Sequence, residues 1–273
     1  MAGHFASLGF PVSTVDEVEA LAERVRPDCG ETAVATGSYL RWEGGDGAEL
    51  WLQLDRRGRL IGLNPHFSGR SQLQVRLVES VQTADDSALD GAFSAWTLDP
   101  EGDEEEWSQL IFDAPDAACH SGLALPAVGE VQIAAFAHSL DVHGSAEAFA
   151  AAQAGEELAF ASQSFIALGL WAEELGTEGS PADASFSGHV VESATKENPL
   201  TRQPYTWIAV ETLGGVFDVV AAPDLAPEPP PARSVVFGTF WLSGRLLGEP
   251  RSEPAAAETP RQERRGLLRR LFG

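Results

Sequence analysis

The chain has 273 residues, of which 44% are hydrophobic, and its 41 acidic and 18 basic side chains give a formal net charge of −23. This hydrophobic content excludes a chain that is disordered throughout, and the glycines and prolines show no collagen-like period. Because nucleic-acid affinity depends on Lys and Arg that neutralise phosphates, we expect no general DNA or RNA binding.

Cysteine usage and the first residues indicate the compartment. Cys29 and Cys119 are too few and too far apart for a disulfide framework. The N-terminal residues lack the basic segment and long apolar core of a signal peptide, and no window approaches the roughly 20 apolar residues that cross a bilayer. We therefore expect a cytoplasmic protein. A single lysine, Lys196, against many arginines and abundant alanine is typical of a bacterial sequence.

Residues 3–64 predict a βαβββ unit. The apolar run 4–12 predicts a strand, and Ser13 and Thr14 followed by acidic residues predict a capped helix that ends at Pro27. Glycine-containing turns then separate three predicted strands, at 32–43, 48–55 and 59–64.

The rest of the chain predicts mainly strands. Four strand-like segments lie at 72–83, 88–98, 107–113 and 128–144, and a short helix is predicted at 145–153. After a polar break near 176–184, four more strand-rich segments lie at 185–199, 205–215, 216–223 and 234–247. The prediction is an α+β fold of mostly antiparallel β structure, with one domain at 1–176 and a small β-barrel-like domain at 185–247.

The segment 185–247 resembles an OB-fold in its order of strand, long loop, hairpin, proline-rich loop and final strand. An OB surface that binds nucleic acid interleaves Arg and Lys with aromatic residues. Basic residues are sparse here, so we interpret the aromatic residues as core residues, namely Trp207, Phe217, Phe240 and Trp241.

The opening GHFASLGFPVSTVDEVEALAERV, in a βαβββ order, resembles a module of the glyoxalase/vicinal-oxygen-chelate superfamily. In that family a His on the first strand and a Glu on a later strand bind a metal ion. The resemblance implies His4 and Glu49 as ligands of a divalent metal, with His66 as a nearby spare, and a metal-dependent lyase, isomerase or dioxygenase as the alternative function. The competing interpretation is a solvated terminal residue and an edge residue, with no cofactor.

Sequence motifs of catalysis are absent. The chain has no GxSxG nucleophile elbow, no Walker motif and no dinucleotide-binding glycine pattern. We interpret the glycine-rich residues 44–47 as a hairpin turn and not as a phosphate loop. These observations favour a binding protein over an enzyme.

The C-terminus reverses the charge of the chain. Residues 1–260 carry a net charge of −27, whereas residues 261–273 contain five Arg and one Glu, a net charge of +4. Residues 248–260, rich in Pro, Glu and Ala, predict a flexible linker. A helix over 265–272 would place four apolar side chains on one arc and three arginines beside or opposite it: Leu267, Leu268, Leu271 and Phe272, with Arg265, Arg269 and Arg270.

The stretch RRGLLRRLFG resembles the membrane-targeting helix of the bacterial division-site ATPase MinD. This resemblance implies peripheral docking of residues 261–273 on an anionic membrane surface, at the inner face of the membrane. Three alternatives stay open, namely a groove on a partner protein, the acidic body of the same chain, and a disordered terminus. The sequence therefore favours a cytoplasmic adaptor with an acidic folded body and a basic amphipathic tail.

Overall fold

The computed structural model describes residues 2–84, 86–99, 106–156, 158–171 and 179–253. These residues are rich in strands with few helices, in agreement with the predicted α+β class. The helices are α1 (Ala2–Ala6), α2 (Val15–Val25) and α3 (Ala146–Ala152). The strands are β1 (Gly30–Val34), β2 (Gly37–Glu43), β3 (Ala48–Asp55), β4 (Leu60–Phe67), β5 (Leu73–Val81), β6 (Ala92–Leu98), β7 (Glu106–Asp113), β8 (Ala127–His143), β9 (Ser164–Ala167), β10 (Asp183–Glu197), β11 (Pro204–Thr212), β12 (Gly215–Ala221) and β13 (Val235–Ser252).

The predicted strand at 4–12 is wrong, because the chain forms the short helix α1 there. Phe5 and Leu8, three positions apart, lie on one face of this helical turn and are both buried. Gly9, with φ +72°, ends the turn. A short apolar run fits a strand or a buried helical turn equally well, so the pattern alone did not distinguish the two structures. The unit at 3–64 is consequently two helices followed by four strands, and not βαβββ.

The second helix agrees with its prediction. Thr14 caps α2 by accepting a hydrogen bond from the backbone N–H of Glu17, and the Glu17 side chain accepts one from the backbone of Thr14. The single strand predicted at 32–43 is instead two strands, β1 and β2, joined by a turn at 35–36. The turn residues Ala35 and Thr36 are not typical of turns, so the run 32–43 resembles one continuous strand apart from Gly37.

Two sheets form the body. Strands β1 to β4 make an antiparallel sheet in chain order. The other nine strands form a second sheet in the order β11-β12-β8-β5-β6-β7-β13-β10-β9. Two of its pairings are parallel, β12 with β8 and β13 with β7, and the rest are antiparallel.

The nine-stranded sheet closes on itself through its two longest strands. Strand β8 pairs with β13, and each also pairs with other strands along its length. One ring runs through β8, β5, β6, β7 and β13. The other runs through β8, β12, β11, β10 and β13, because β10 also pairs with β11. The sheet therefore takes strands from both sides of the polar break at 176–184.

The alternation of side chains divides the interior into two main cores. On β13, Phe240 and Leu242 belong to the first core, which the strands of the nine-stranded sheet share. Trp241, between them, belongs to the second core, together with residues of the four-stranded sheet and of α1 and α2 such as Leu50 and Val25. The second core thus joins the small sheet to the opposite face of the large one.

Strand β13 continues through Ser252 and so extends into the segment predicted as a linker from residue 248. The backbone N–H of Glu253 also donates to the carbonyl of Pro126. The remainder of that segment, 254–260, and the whole of the predicted tail, 261–273, lie outside the described residues.

Candidate functional site

A row of polar side chains crosses the nine-stranded sheet on the face that carries the second core. Side chains alternate between the two faces of a strand, and residues paired directly across strands share a face. Applied to the observed registers, this rule places five polar or amphipathic residues on that face, namely Lys196, Trp207, Asp218, Gln132 and Ser243. One end of the row opens into a cleft, and the other end reaches a smaller pocket.

The cleft, here called the Trp207 cleft, lies between the β2–β3 turn, the segment after β4, and strands β10 and β11. It has a volume of about 240 Å³. Its lining residues are Gly45, Asp46, Gly47, Phe67, Ser68, Gly69, Arg70, Lys196 and Trp207.

Two cations lie over the indole ring of Trp207. The Arg70 guanidinium carbon is 5.0 Å from the ring centroid, and the Lys196 Nζ is 5.7 Å from it. The Lys196 ammonium also donates to the Oδ1 of Asp46 at 2.8 Å and to the backbone carbonyl of Asp46 at 3.2 Å. Arg70 pairs with Glu192 at 2.6 Å. Each of the two cations at the cleft is therefore paired with one carboxylate, Lys196 with Asp46 and Arg70 with Glu192.

Asp218 fixes one wall of this cleft through hydrogen bonds to its buried carboxylate. Its side chain is 1% exposed. Its Oδ1 accepts from the Trp207 Nε1–H at 2.8 Å, and its Oδ2 accepts from the backbone N–H of Ser71 at 2.7 Å. A Cβ on Gly69 would lie 2.1 Å from the carboxyl group, so glycine is required for the loop to approach this closely. One buried carboxylate thus fixes both the indole and the 68–71 loop.

The hydrogen bonds continue inward from Asp218. The Gln132 side-chain N–H donates to Asp218 at 3.3 Å, which turns the Gln132 carbonyl towards His66 Nε2 at 2.8 Å. His66 Nδ1 lies 2.9 Å from the Ser243 hydroxyl. Burial lowers the pKa of His66, which keeps the ring neutral. Its proton is then on Nε2, and Nδ1 accepts from Ser243.

A serine that donates to a histidine is the arrangement of an activated nucleophile. Ser243, however, is only 1% exposed, and the chain of bonds that holds His66 passes through a neutral glutamine. We therefore interpret Ser243, His66 and Gln132 as a fully hydrogen-bonded polar network between the two sheets.

A pocket at the other end of the row is acidic. It has a volume of about 90 Å³ and is lined by residues that include Asn64, Asp86, Asp90, Asp113 and Ser243. Asp113 accepts a hydrogen bond from the Trp241 indole N–H. Burial raises the pKa of Asp113 to about 6, and the nearby Asp86 and Asp90 charges contribute to the rise.

This raised pKa predicts that Asp113→Asn stabilises the protein at alkaline pH. Because the folded state disfavours the ionised carboxyl, the stability associated with protonated Asp113 is lost as pH rises from the usual Asp pKa through about 6. The variant lacks this loss, and asparagine can still accept from Trp241. Its advantage over wild type in urea unfolding should grow by about 1 kcal/mol between pH 5 and pH 8. Asp141→Asn, at an exposed site, is the control, and a pH-independent difference for Asp113→Asn would contradict the argument.

His4, a predicted metal ligand, lies on α1 and not on a strand. Its ring stacks on Trp241, with centroids 4.3 Å apart and planes 4° from parallel, and lies 5.1 Å from the ring of His138. Burial and the proximity of His138 lower the pKa of His4 to about 4. At neutral pH this histidine is an uncharged contact that packs α1 against β13.

Glu49, the other predicted ligand, is a buried ion-pair residue and not an edge residue. It accepts from Arg41 Nε at 3.1 Å and from Trp51 Nε1 at 3.0 Å, and Arg245 lies at 3.5 Å. Burial by itself would raise the pKa of Glu49, but the hydrogen bond from Arg41 and the positive charges of Arg41 and Arg245 oppose it, and the pKa is lowered.

The structure does not bring His4 and Glu49 into contact, since the partners of each are different residues. The described part of the chain also contains no group of three or more His, Cys, Asp or Glu side chains placed to hold a metal ion. His66, the nearby spare, is fully engaged by Ser243 and Gln132. The metal hypothesis gains no support from these residues. The docking residues predicted at 265–272 lie outside the described residues.

The interpretation of Trp207 as a core residue is confirmed, since it is 3% exposed, but sequence reasoning missed Asp218 and its hydrogen bond to Trp207. A signal was present, because Asp218 interrupts the apolar strand VFDVVAA, and an acidic residue in such a strand is buried only with partners. Trp207 lies eleven positions earlier on the adjacent strand, and only the β11–β12 register brings the two together.

Comparison with known protein families, with curated proteins and with solved structures finds no match for this chain. Among the described residues, no helix has the length and apolar character needed to cross a membrane.

Proposed function

We propose that the protein is a binding and adaptor protein whose acidic folded body is attached to an anionic membrane surface by its basic C-terminal tail, residues 261–273. The observation that carries this proposal is the reversal from a net charge of −27 over residues 1–260 to +4 over the tail, combined with the apolar arc of the tail.

The energetics favour reversible docking. Each Arg near an anionic bilayer contributes about 1 kcal/mol, and burial of each Leu or Phe side chain adds about 1.5–3 kcal/mol before the cost of ordering. A helix of this length does not hold in water, because isolated helices below about 12–15 residues are marginal. The tail therefore folds only when it binds.

The length of the chain between body and tail allows the acidic body to stand away from an anionic surface. Seven residues, 254–260, separate the end of the described body from the tail. Fully extended, they span at most about 25 Å. The Debye length at physiological ionic strength is about 8 Å, so the body is largely screened from the lipid charge when the segment is extended.

The finer fold prediction is also a proposal. The ring of β8, β10, β11, β12 and β13 contains five strands, the number in an OB-fold, but β8 (Ala127–His143) precedes residues 185–247. We therefore propose that residues 185–247 supply four strands of an OB-like, β-barrel-like ring that β8 completes.

Vesicle co-sedimentation of the full chain tests the membrane proposal. Wild type should pellet with vesicles of phosphatidylglycerol and phosphatidylcholine but not with phosphatidylcholine alone. Leu268→Asp with Leu271→Asp should abolish pelleting, because the apolar arc is lost.

Arg269→Lys with Arg270→Lys is the matched control, since it keeps the charge and should pellet as wild type does. Pelleting of the aspartate variant at the wild-type level would overturn the proposal. A wild-type chain that ignores anionic vesicles would overturn it as well and would favour a groove on a partner protein.

A further inference from the structure

The Trp207 cleft has the composition of an anion site, and this inference goes beyond the proposed tail docking. Lys196 is the only lysine in the chain, and its ammonium has three donors. Two of them go to Asp46, so one lacks a protein acceptor among the described residues. The Lys196 side chain is 22% exposed at the cleft.

Arg70 supplies a second cation that can adjust. Its side chain is 72% exposed, and its partner Glu192 is 54% exposed. Ion pairs this exposed contribute little free energy, so a doubly charged anion can replace Glu192 at the guanidinium. A guanidinium binds phosphate through two parallel hydrogen bonds. A phosphate dianion also carries twice the charge of the Glu192 carboxylate that it would replace.

Backbone groups add uncharged donors to the same cleft. The lining includes Gly45, whose missing side chain leaves open space, so a ligand can approach the backbone there. No hydrogen-bond acceptor is seen, within the described residues, for the backbone N–H of Asp46, Gly69 or Arg70. The turn is a hairpin turn, as predicted, and it forms one wall of the cleft.

The cleft is preformed. Asp218 fixes Trp207 and the 68–71 loop without a ligand, and the Tyr205 hydroxyl donates to the Asp46 carbonyl at 3.2 Å to hold the opposite wall. A site whose walls are already ordered loses little conformational entropy on binding. Its volume of about 240 Å³ leaves space for a group attached to the anion.

From these observations we infer that the Trp207 cleft binds the phosphate group of a soluble small-molecule phosphate monoester. Arg70, in place of its pair with Glu192, and the remaining N–H of Lys196 donate to the phosphate, and the backbone of the 45–47 and 68–70 segments surrounds it.

The single lysine makes a direct test possible. Protein labelled with ¹³C at the lysine ε-carbon gives one lysine signal, which reports on Lys196 alone. At pH 8, where phosphate is largely dianionic, inorganic phosphate and phenyl phosphate should each shift this signal to saturation. Sodium chloride and sodium acetate at the same ionic strength should not.

Arg70→Gln should raise the phosphate concentration needed for half-saturation about tenfold, because it removes a charge-assisted contact. Arg57→Gln, which removes the same charge in the β3–β4 turn, should leave it unchanged. A shift that acetate reproduces, an absence of saturation, or equal affinity in Arg70→Gln would each overturn the inference. The Leu268→Asp and Leu271→Asp chain should bind phosphate normally, so failure of tail docking and failure of this site are distinguishable.

Discussion

Asp218→Ala is expected to lower the free energy of unfolding by about 3 kcal/mol. The substitution leaves three N–H donors without an acceptor, and each unsatisfied buried group costs about 1–3 kcal/mol. The donors are those of Trp207 Nε1, the Ser71 backbone and Gln132 Nε2. Relief of the desolvation of the carboxylate offsets part of this cost, which keeps the expected loss below the sum of the three.

Asp218→Asn tests the effect of the side-chain charge, because it removes the charge and keeps the side-chain volume. Asparagine fills the same space but places an N–H₂ group against donors that need acceptors, so we expect about two-thirds of the alanine effect. Both variants should also weaken phosphate binding at the Trp207 cleft, because the indole and the 68–71 loop lose their common anchor.

Urea unfolding followed by circular dichroism measures these changes, with the slope m checked for constancy. Asp224→Ala is the control, since Asp224 is exposed and its loss should change the free energy of unfolding by no more than about 0.5 kcal/mol. If Asp218→Ala were as stable as Asp224→Ala, Asp218 would not be the anchor of the cleft.

Elements that form through residues close together in the sequence could be predicted from the sequence. The capping box of α2 needs only Thr14 and Glu17, and it formed as predicted. The β2–β3 turn followed from glycine placement. The helix α3 begins after Ser145, whose hydroxyl accepts from the backbone of Ala148.

Elements that depend on distant contacts were not predictable in this way. The N-terminal apolar run became a helix because Phe5 and Leu8 are buried in the second core, which the run itself does not encode. The pairing of β8 with β13 joins residues roughly a hundred positions apart. The Trp207 cleft is built from four separate segments, so no motif within one segment could indicate it.

The predicted metal ligand Glu49 shows the same limit. The sequence analysis placed Glu49 on the correct strand, but the partners of Glu49, Arg41 and Arg245, come from β2 and β13. A buried carboxylate next to two guanidinium groups has its charge neutralised and its oxygen atoms occupied. This environment leads to the second prediction.

Glu49→Gln is expected to lower the free energy of unfolding by about 2–3 kcal/mol. The change leaves Arg41 and Arg245, whose guanidinium carbons lie 5.3 Å and 5.2 Å from the Trp51 ring centroid, without their shared counter-charge. Breaking a buried ion pair costs about 3–5 kcal/mol, and the partial exposure of both arginines reduces that figure.

The pH dependence has a defined sign. Because the pKa of Glu49 is lowered in the folded state, its ionised form contributes stability above the usual Glu pKa, and this contribution disappears as pH falls through the lowered value. The difference between wild type and Glu49→Gln should therefore shrink in acid. Thermal unfolding at pH 7 and at pH 4 measures it.

Glu43→Gln is the matched control, because Glu43 also pairs with Arg41 but its side chain is 61% exposed. It should cost no more than about 0.5 kcal/mol, since exposed pairs contribute little. The experiment also separates the ion-pair role from a metal role when it is run in EDTA. If Glu49 acts through its ion pairs, their loss destabilises the Glu49→Gln chain equally with and without the chelator. If Glu49 is a metal ligand, the substitution matters only when metal is bound. Equal stability of wild type and Glu49→Gln in EDTA, together with loss of a bound metal in the variant, would overturn the ion-pair interpretation.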